Sequence, residues 1–301
     1  MQREIREKCD MEENKAVLRN GELELELLLP GNYSRSRYDH SGMVEQVTLD
    51  GNTFLSRELI GDGYGLGGVG LACCFEWADS SLHDKTAIAD MFPQIGVGLL
   101  KRTDTSPFLF TRDYPVVPFE HVVSLSESCA EVHSLPHLCH GTAVEQYRRW
   151  SLEGRSLIMT SRLKNLGSTA VEATEFCHNF FKFNSKPIDE KYRLSFPYTI
   201  LPRMRRGQIL LERDALRMGA FDGPTASTAF WLEGYEGLSS HWMKLEHDET
   251  GTGVLIEEDF PICRLYSWNN KDALCPESFV KISLQPGENM EWTRKYSFYK
   301  L

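Results

Sequence analysis

No stretch of this 301-residue chain stays apolar for the ~18 residues that a membrane-crossing helix needs. It also lacks a Pro/Ser/Gly linker, a low-complexity tract and an internal repeat of fixed period. Glycine (23) and proline (13) are at ordinary levels without a period, which excludes collagen-like and low-complexity chains. Basic residues are in the minority, 33 Lys and Arg against 43 Asp and Glu. The resulting net charge of −10 argues against a nucleic-acid-binding surface, which requires clustered cations to neutralise phosphates. No G-x-S-x-G, H-E-x-x-H, P-loop or C-x-x-C motif occurs. The first ten residues, Met1 to Asp10, are charged throughout and lack the apolar stretch of a secretory signal. The eight cysteines therefore read as reduced thiols of a cytoplasmic protein rather than a disulfide framework.

What the chain does have is period-two alternation. In Glu22-Leu-Glu-Leu-Glu-Leu27 the leucines point one way and the carboxylates the other, as on a half-solvated strand. Met43 to Leu49 is strand-like and ends in the hairpin dipeptide Asp50-Gly51. Tyr147 to Leu152 turns at Glu153-Gly154 into Leu157 to Leu163, and Asn165 to Ser168 turns into Val171 to Phe181. The last pair is Phe279 to Leu284, a turn over Gln285 to Glu288, and Met290 to Tyr299. Helical periodicity is weak, with single turns at most over Thr86 to Met91 and Leu216 to Ala220. Short strands punctuated by turns predict an all-β, antiparallel sandwich. The expected parse is a charged lead-in over 1–14 and one domain over 15–301.

Three local clusters bear chemistry, and each has a plain alternative. Gly63, Gly65 and Gly68 spell G-x-G-x-x-G, but Leu71 to Trp77 follows without a helix, so a turning loop is the better reading. His133, His137, Cys139 and His140 are ligand types for zinc, yet Pro136 breaks any helical spacing, and a solvated hairpin is expected. Arg203-Met-Arg-Arg206 can meet an anionic substrate group or simply form a solvated loop.

Two polar residues sit oddly in strands. His178 shares a face with Thr174, Phe176 and Phe180, and Glu277 shares one with Phe279 and Lys281. They can converge on one open sheet face; the alternative is a hydrogen-bonded interior histidine and a surface glutamate.

At these residues the chain resembles the galactose mutarotase-like (aldose 1-epimerase) superfamily. Cys177-His-Asn-Phe-Phe181 is similar to its H-P-Y-F or H-N-F-F element, and Tyr147 to Ser168 resembles the hairpin that precedes it. Arg37-Tyr-Asp-His-Ser-Gly-Met43, Phe92 to Leu100 and Cys275-Pro-Glu-Ser-Phe-Val-Lys-Ile282 with Pro286-Gly-Glu288 resemble a bacterial branch of it. The resemblance implies a large, twisted antiparallel supersandwich with a sugar on its concave face. It implies His178 as the acid that protonates the pyranose ring oxygen and Glu277 as the base that removes the anomeric proton, set across a space one pyranose wide. It further implies Arg37, Asp39, Glu76, His83, Asn179 and Trp268 as substrate-binding residues, with Trp268 or Phe180 stacking on the sugar. The expected ligand is a small-molecule sugar, with no cofactor, metal, nucleic acid or membrane involved. One departure stands out. The superfamily's early histidine on an H-G-G-like loop has no counterpart in Gly70 to Trp77, where His83 is the nearest imidazole. A non-catalytic carbohydrate-binding protein of the same fold is the rival expectation.

Overall fold

The computed structural model describes residues 15–60, 63, 65–223, 225–236 and 241–301. The lead-in over 1–14 lies outside them, as do Gly61, Asp62 and Tyr64 of the glycine-rich stretch. The described chain forms an all-β antiparallel sandwich of two ten-stranded sheets with a three-stranded annex. The first sheet runs Lys15–Arg19, Leu23–Leu28, Met43–Leu49, Leu71–Trp77, Val171–Asn179, Ala273–Leu284, Ile262–Asn270, Thr228–Glu233 and Leu201–Arg206, with Asn52–Thr53 on a side path. The second contains the long strands Val144–Glu153, Ser156–Asn165 and Asn289–Lys300, the first two joined by the predicted Gly154 turn. Asp50 and Gly51 both take positive φ, 49° and 75°, the hairpin geometry their dipeptide favours.

Neither stretch expected to form a single turn at most is helical. Leu216 lies in the strand Ala215–Met218, where buried Leu216 and Met218 flank the half-buried Arg217 in period two. The one α-helix among the described residues is Ser81–Lys85, ending just before the predicted turn at Thr86. The Arg203–Arg206 segment is not a loop but part of the edge strand Leu201–Arg206.

Strand parity decides what faces what. The inward face of the first sheet supplies Leu25, Val47, Cys73, Cys177, Leu265 and Leu274 to the core shared with Leu157, Met159, Tyr296 and Phe298 of the second. The opposite parity turns Ala72, Cys74, Phe176, Phe180, Cys275 and Phe279 outward into a separate aromatic cluster. Loops carrying Tyr33, Tyr38, Leu66 and Phe110 pack on that cluster, so the outward face is roofed rather than bathed in water.

Charges are also buried between the sheets. Arg148 reaches Asp39 at 2.7 Å and Glu175 at 3.3 Å, and Arg294 reaches Glu175 at 2.7 Å. Each of these side chains is at most 1% exposed. Such a chain persists only because every charge has a counterpart, and it cross-links the two sheets at one register. Among the described residues, no helix is long and apolar enough to cross a membrane.

Candidate functional site

The roofed face holds a cleft of about 330 Å³ lined by Arg37, Glu58, Glu76, Phe176, His178, Arg205, Arg206, Trp231, Arg264, Tyr266, Trp268, Glu277 and Phe279, among others. Adjacent strands bring the central pair together. The register that places Phe176 opposite Phe279 carries His178 towards Glu277 two residues on. His178 Nε2 and Glu277 Oε1 are 3.2 Å apart. Phe180 stacks on the imidazole at 4.2 Å between ring centroids and 8° between planes, and Trp268 meets it edge-on at 5.9 Å. These contacts fix the ring against rotation.

Burial sets the protonation. Withdrawal from water pushes the Glu277 carboxyl well above the ordinary carboxylate range. The same desolvation, reinforced by the positive charge of Arg37, drives His178 well below 6.5. The spacing is that of an ion pair, but both shifts favour the uncharged forms, a neutral carboxyl against a neutral imidazole. Together the pair holds one transferable proton.

Polar atoms at the cleft lack partners. His178 Nδ1, Arg37 Nε and Arg264 Nε are buried with no hydrogen-bond partner among the described residues, and Glu277 Oε1, though 3.2 Å from His178 Nε2, makes no hydrogen bond there. Buried polar groups are rarely left unsatisfied, and their gathering in residues lining one cleft marks a place for a polar ligand. Burial disfavours the Arg37 charge, but its neighbours, Tyr38 and Cys74 foremost, more than offset this and its pKa is raised. Its guanidinium lies over the rings of Tyr38 and Phe110, 5.2 and 5.3 Å from their centroids.

The structure gathers Arg37, Glu76, His178, Trp268 and Glu277 of the expected residues and leaves the others elsewhere. Asp39 points between the sheets, held by Arg148 and by Gln146 Nε2 at 2.6 Å. Asn179 has the inward parity; it donates to the Pro276 carbonyl and accepts from the Tyr296 hydroxyl. His83 sits on the short helix, against Asp84 and among Phe92, Phe108 and Tyr114. Phe180 is fully buried beneath His178 and does not line the cleft. Nor do His178 and Glu277 stand a pyranose apart: they touch. Arg264 and Tyr266 were missed, although Arg264, Tyr266 and Trp268 recur at period two in one strand, a signal present in the sequence. Among the described residues no group of His, Cys, Asp and Glu is arranged to hold a metal. His133 instead faces Glu145, and His140 bonds the Met91 carbonyl.

No family model matches the chain, and no curated protein matches its sequence. Solved structures do match it in shape. A galactose mutarotase-like protein of Lactobacillus casei ATCC 334 superposes with a TM-score of 0.58 at 12% identity, over 95% of this chain and 100% of that one. The chain has the galactose mutarotase-like fold. A galactose mutarotase-like protein of Clostridium acetobutylicum gives 0.56 at 13% identity, over 95% of each chain. An aldose epimerase homologue of C. elegans gives 0.52 at 12%, over 95% of this chain and 99% of that one.

Proposed function

We propose that this protein is an aldose 1-epimerase-like isomerase that interconverts the anomers of a small-molecule sugar. The observation that carries the reading is the 3.2 Å contact between His178 and Glu277 in an aromatic cleft with unpartnered polar atoms. The ring oxygen and the anomeric hydroxyl sit on one carbon, so two groups in contact can serve both. The neutral pair runs the reaction with a division of labour opposite to the one implied by the resemblance. The Glu277 carboxyl gives its proton to the ring oxygen while the His178 imidazole takes the proton of the anomeric hydroxyl. The bond between the anomeric carbon and the ring oxygen breaks and the carbonyl forms. Rotation about the adjacent carbon–carbon bond then exposes the other carbonyl face. Ring closure returns both protons and yields the opposite anomer.

Exchange NMR of anomers across a panel of free and modified hexoses tests this. Wild type is expected to exceed the buffer rate on at least one sugar, and His178→Ala to fall back to it. If both stay at the buffer rate on every sugar, the isomerase reading is wrong. The seat of His83 outside the cleft favours the rival reading, a binding protein. Melting shifts with sugar but no gain in rate would establish that rival.

A further inference from the structure

The edge strand Leu201–Arg206 breaks its own alternation. Met204 opposes Phe230 and Arg206 opposes Ala229, so Arg205 is the extra residue of a β-bulge. In a regular strand Arg205 and Arg206 point to opposite faces, but here both line the cleft. Among the described residues neither has a carboxylate within ion-pair distance, whereas Arg203 on the same strand pairs with Glu233 at 3.1 Å. Bulges re-aim side chains beside sites, and this one aims two consecutive guanidiniums into a cleft.

The cleft's acidic residues are already engaged. Glu58 Oε2 accepts from the Tyr38 hydroxyl and from the amides of Leu66 and Gly68. Glu76 is paired with Arg264. Burial favours the uncharged form of Glu277. Arg205 and Arg206 are left without a paired carboxylate among the described residues, at the cleft of a chain whose net charge is −10. A surface of that overall sign repels anions unless a local feature gathers them, and a narrow cleft lined with cations does so.

We infer that the substrate of this cleft is a sugar bearing an anionic substituent, a carboxylate or a phosphate, seated on Arg205 and Arg206 while its anomeric carbon faces His178 and Glu277. The sugar half of the inference rests on the function proposed above; the anion half rests on the bulge. Planar guanidiniums pair with either anion through parallel hydrogen bonds, so the two arginines specify the charge and not its carrier.

Calorimetric titration with glucose, glucuronate, glucose 6-phosphate and inorganic phosphate tests it without requiring turnover. The expectation is that glucuronate or glucose 6-phosphate binds wild type at least tenfold more tightly than glucose. That preference should shrink as salt rises and vanish in R205Q/R206Q, while Arg203→Gln retains it. Whichever anionic sugar binds more tightly identifies the carrier. Glucose binding as tightly as both anionic sugars overturns the inference, as does a preference that survives R205Q/R206Q. Inorganic phosphate matching glucose 6-phosphate also overturns it, because the sugar then contributes nothing. Should R205Q/R206Q fold poorly, the salt dependence of wild type decides alone. Anomer exchange, measured separately on the same sugars, reports on the isomerase reading, so either can fail without the other.

Discussion

Glu277 Oε1 and His178 Nε2 face each other at 3.2 Å, on neighbouring strands, with side chains 4% and 5% exposed. Burial raises the carboxyl and lowers the imidazole, so both shifts favour a pair that holds a single proton. Activity is therefore expected to be flat through neutrality. The acid limb lies below the ordinary histidine value of 6.5, where the imidazole also protonates, and the alkaline limb appears where Glu277 finally ionises. Replacing Glu277 by Gln removes the transferable proton and is expected to cost roughly 10²–10⁴ in rate. A pH–rate profile of wild type with a limb centred near 6.5, or an E277Q variant with undiminished exchange, contradicts this account of the pair.

Trp268 is half-buried, lines the cleft and braces the His178 ring edge-on. Its indole face is the apolar surface available to the C–H side of a pyranose once Phe180 is committed to His178. Trp268→Ala is expected to raise KM about tenfold, the size of one lost aromatic contact, with a smaller effect on kcat. Trp268→Phe should recover most of it. Equal KM values in all three proteins would remove Trp268 from the sugar.

The period-two rule explains both what the sequence disclosed and what it hid. Val171–Asn179 and Ala273–Leu284 were legible from their outer ends, where buried and more exposed positions alternate over 171–175 and 280–284. Parity carried from there pointed His178 and Glu277 to one face, although 175–179 and 273–280 are buried on both faces. Asn179, one residue further on, was assigned to the sugar despite its opposite parity, and it turned inward to Pro276 and Tyr296 as parity dictates. Arg205 and Arg206 were visible only as a charge cluster, since a bulge cancels alternation and leaves no mark in residue type. Asp39 looked like a ligand group because nothing local shows that Arg148, more than a hundred positions away, arrives beside it.

That contact belongs to the buried chain Asp39–Arg148–Glu175–Arg294, which offers a stability test remote from the cleft. Arg148→Met strips the cation shared by Asp39 and Glu175 and leaves dehydrated carboxylates behind. The expected loss is about 3–5 kcal/mol in urea unfolding. Adding Asp39→Asn should restore part of it, because one stranded charge disappears. An unchanged midpoint for Arg148→Met alone would show that water or rearrangement satisfies the carboxylates.

Glu258 sets the pH response of the same interior. Its carboxyl is pushed up to about 7, first by burial, against the opposing pull of Arg294 and a hydrogen bond from Ser278. The folded state therefore holds a proton that the unfolded chain releases above its ordinary value of 4.5. The native state binds more protons between these values, so stability falls as pH rises from about 4.5 to about 7 and levels off beyond. A shift of this size corresponds to a few kcal/mol, about 1.4 for each unit of pKa. Histidines 178 and 241 act in the opposite sense: their lowered values remove stability as pH falls below 6.5. Glu258→Gln isolates the carboxyl's share, since the amide keeps an oxygen to accept from Ser278 and cannot titrate. Its urea midpoint is expected to decline less than that of wild type between pH 5 and pH 8. Parallel declines in the two proteins would assign the slope to other groups.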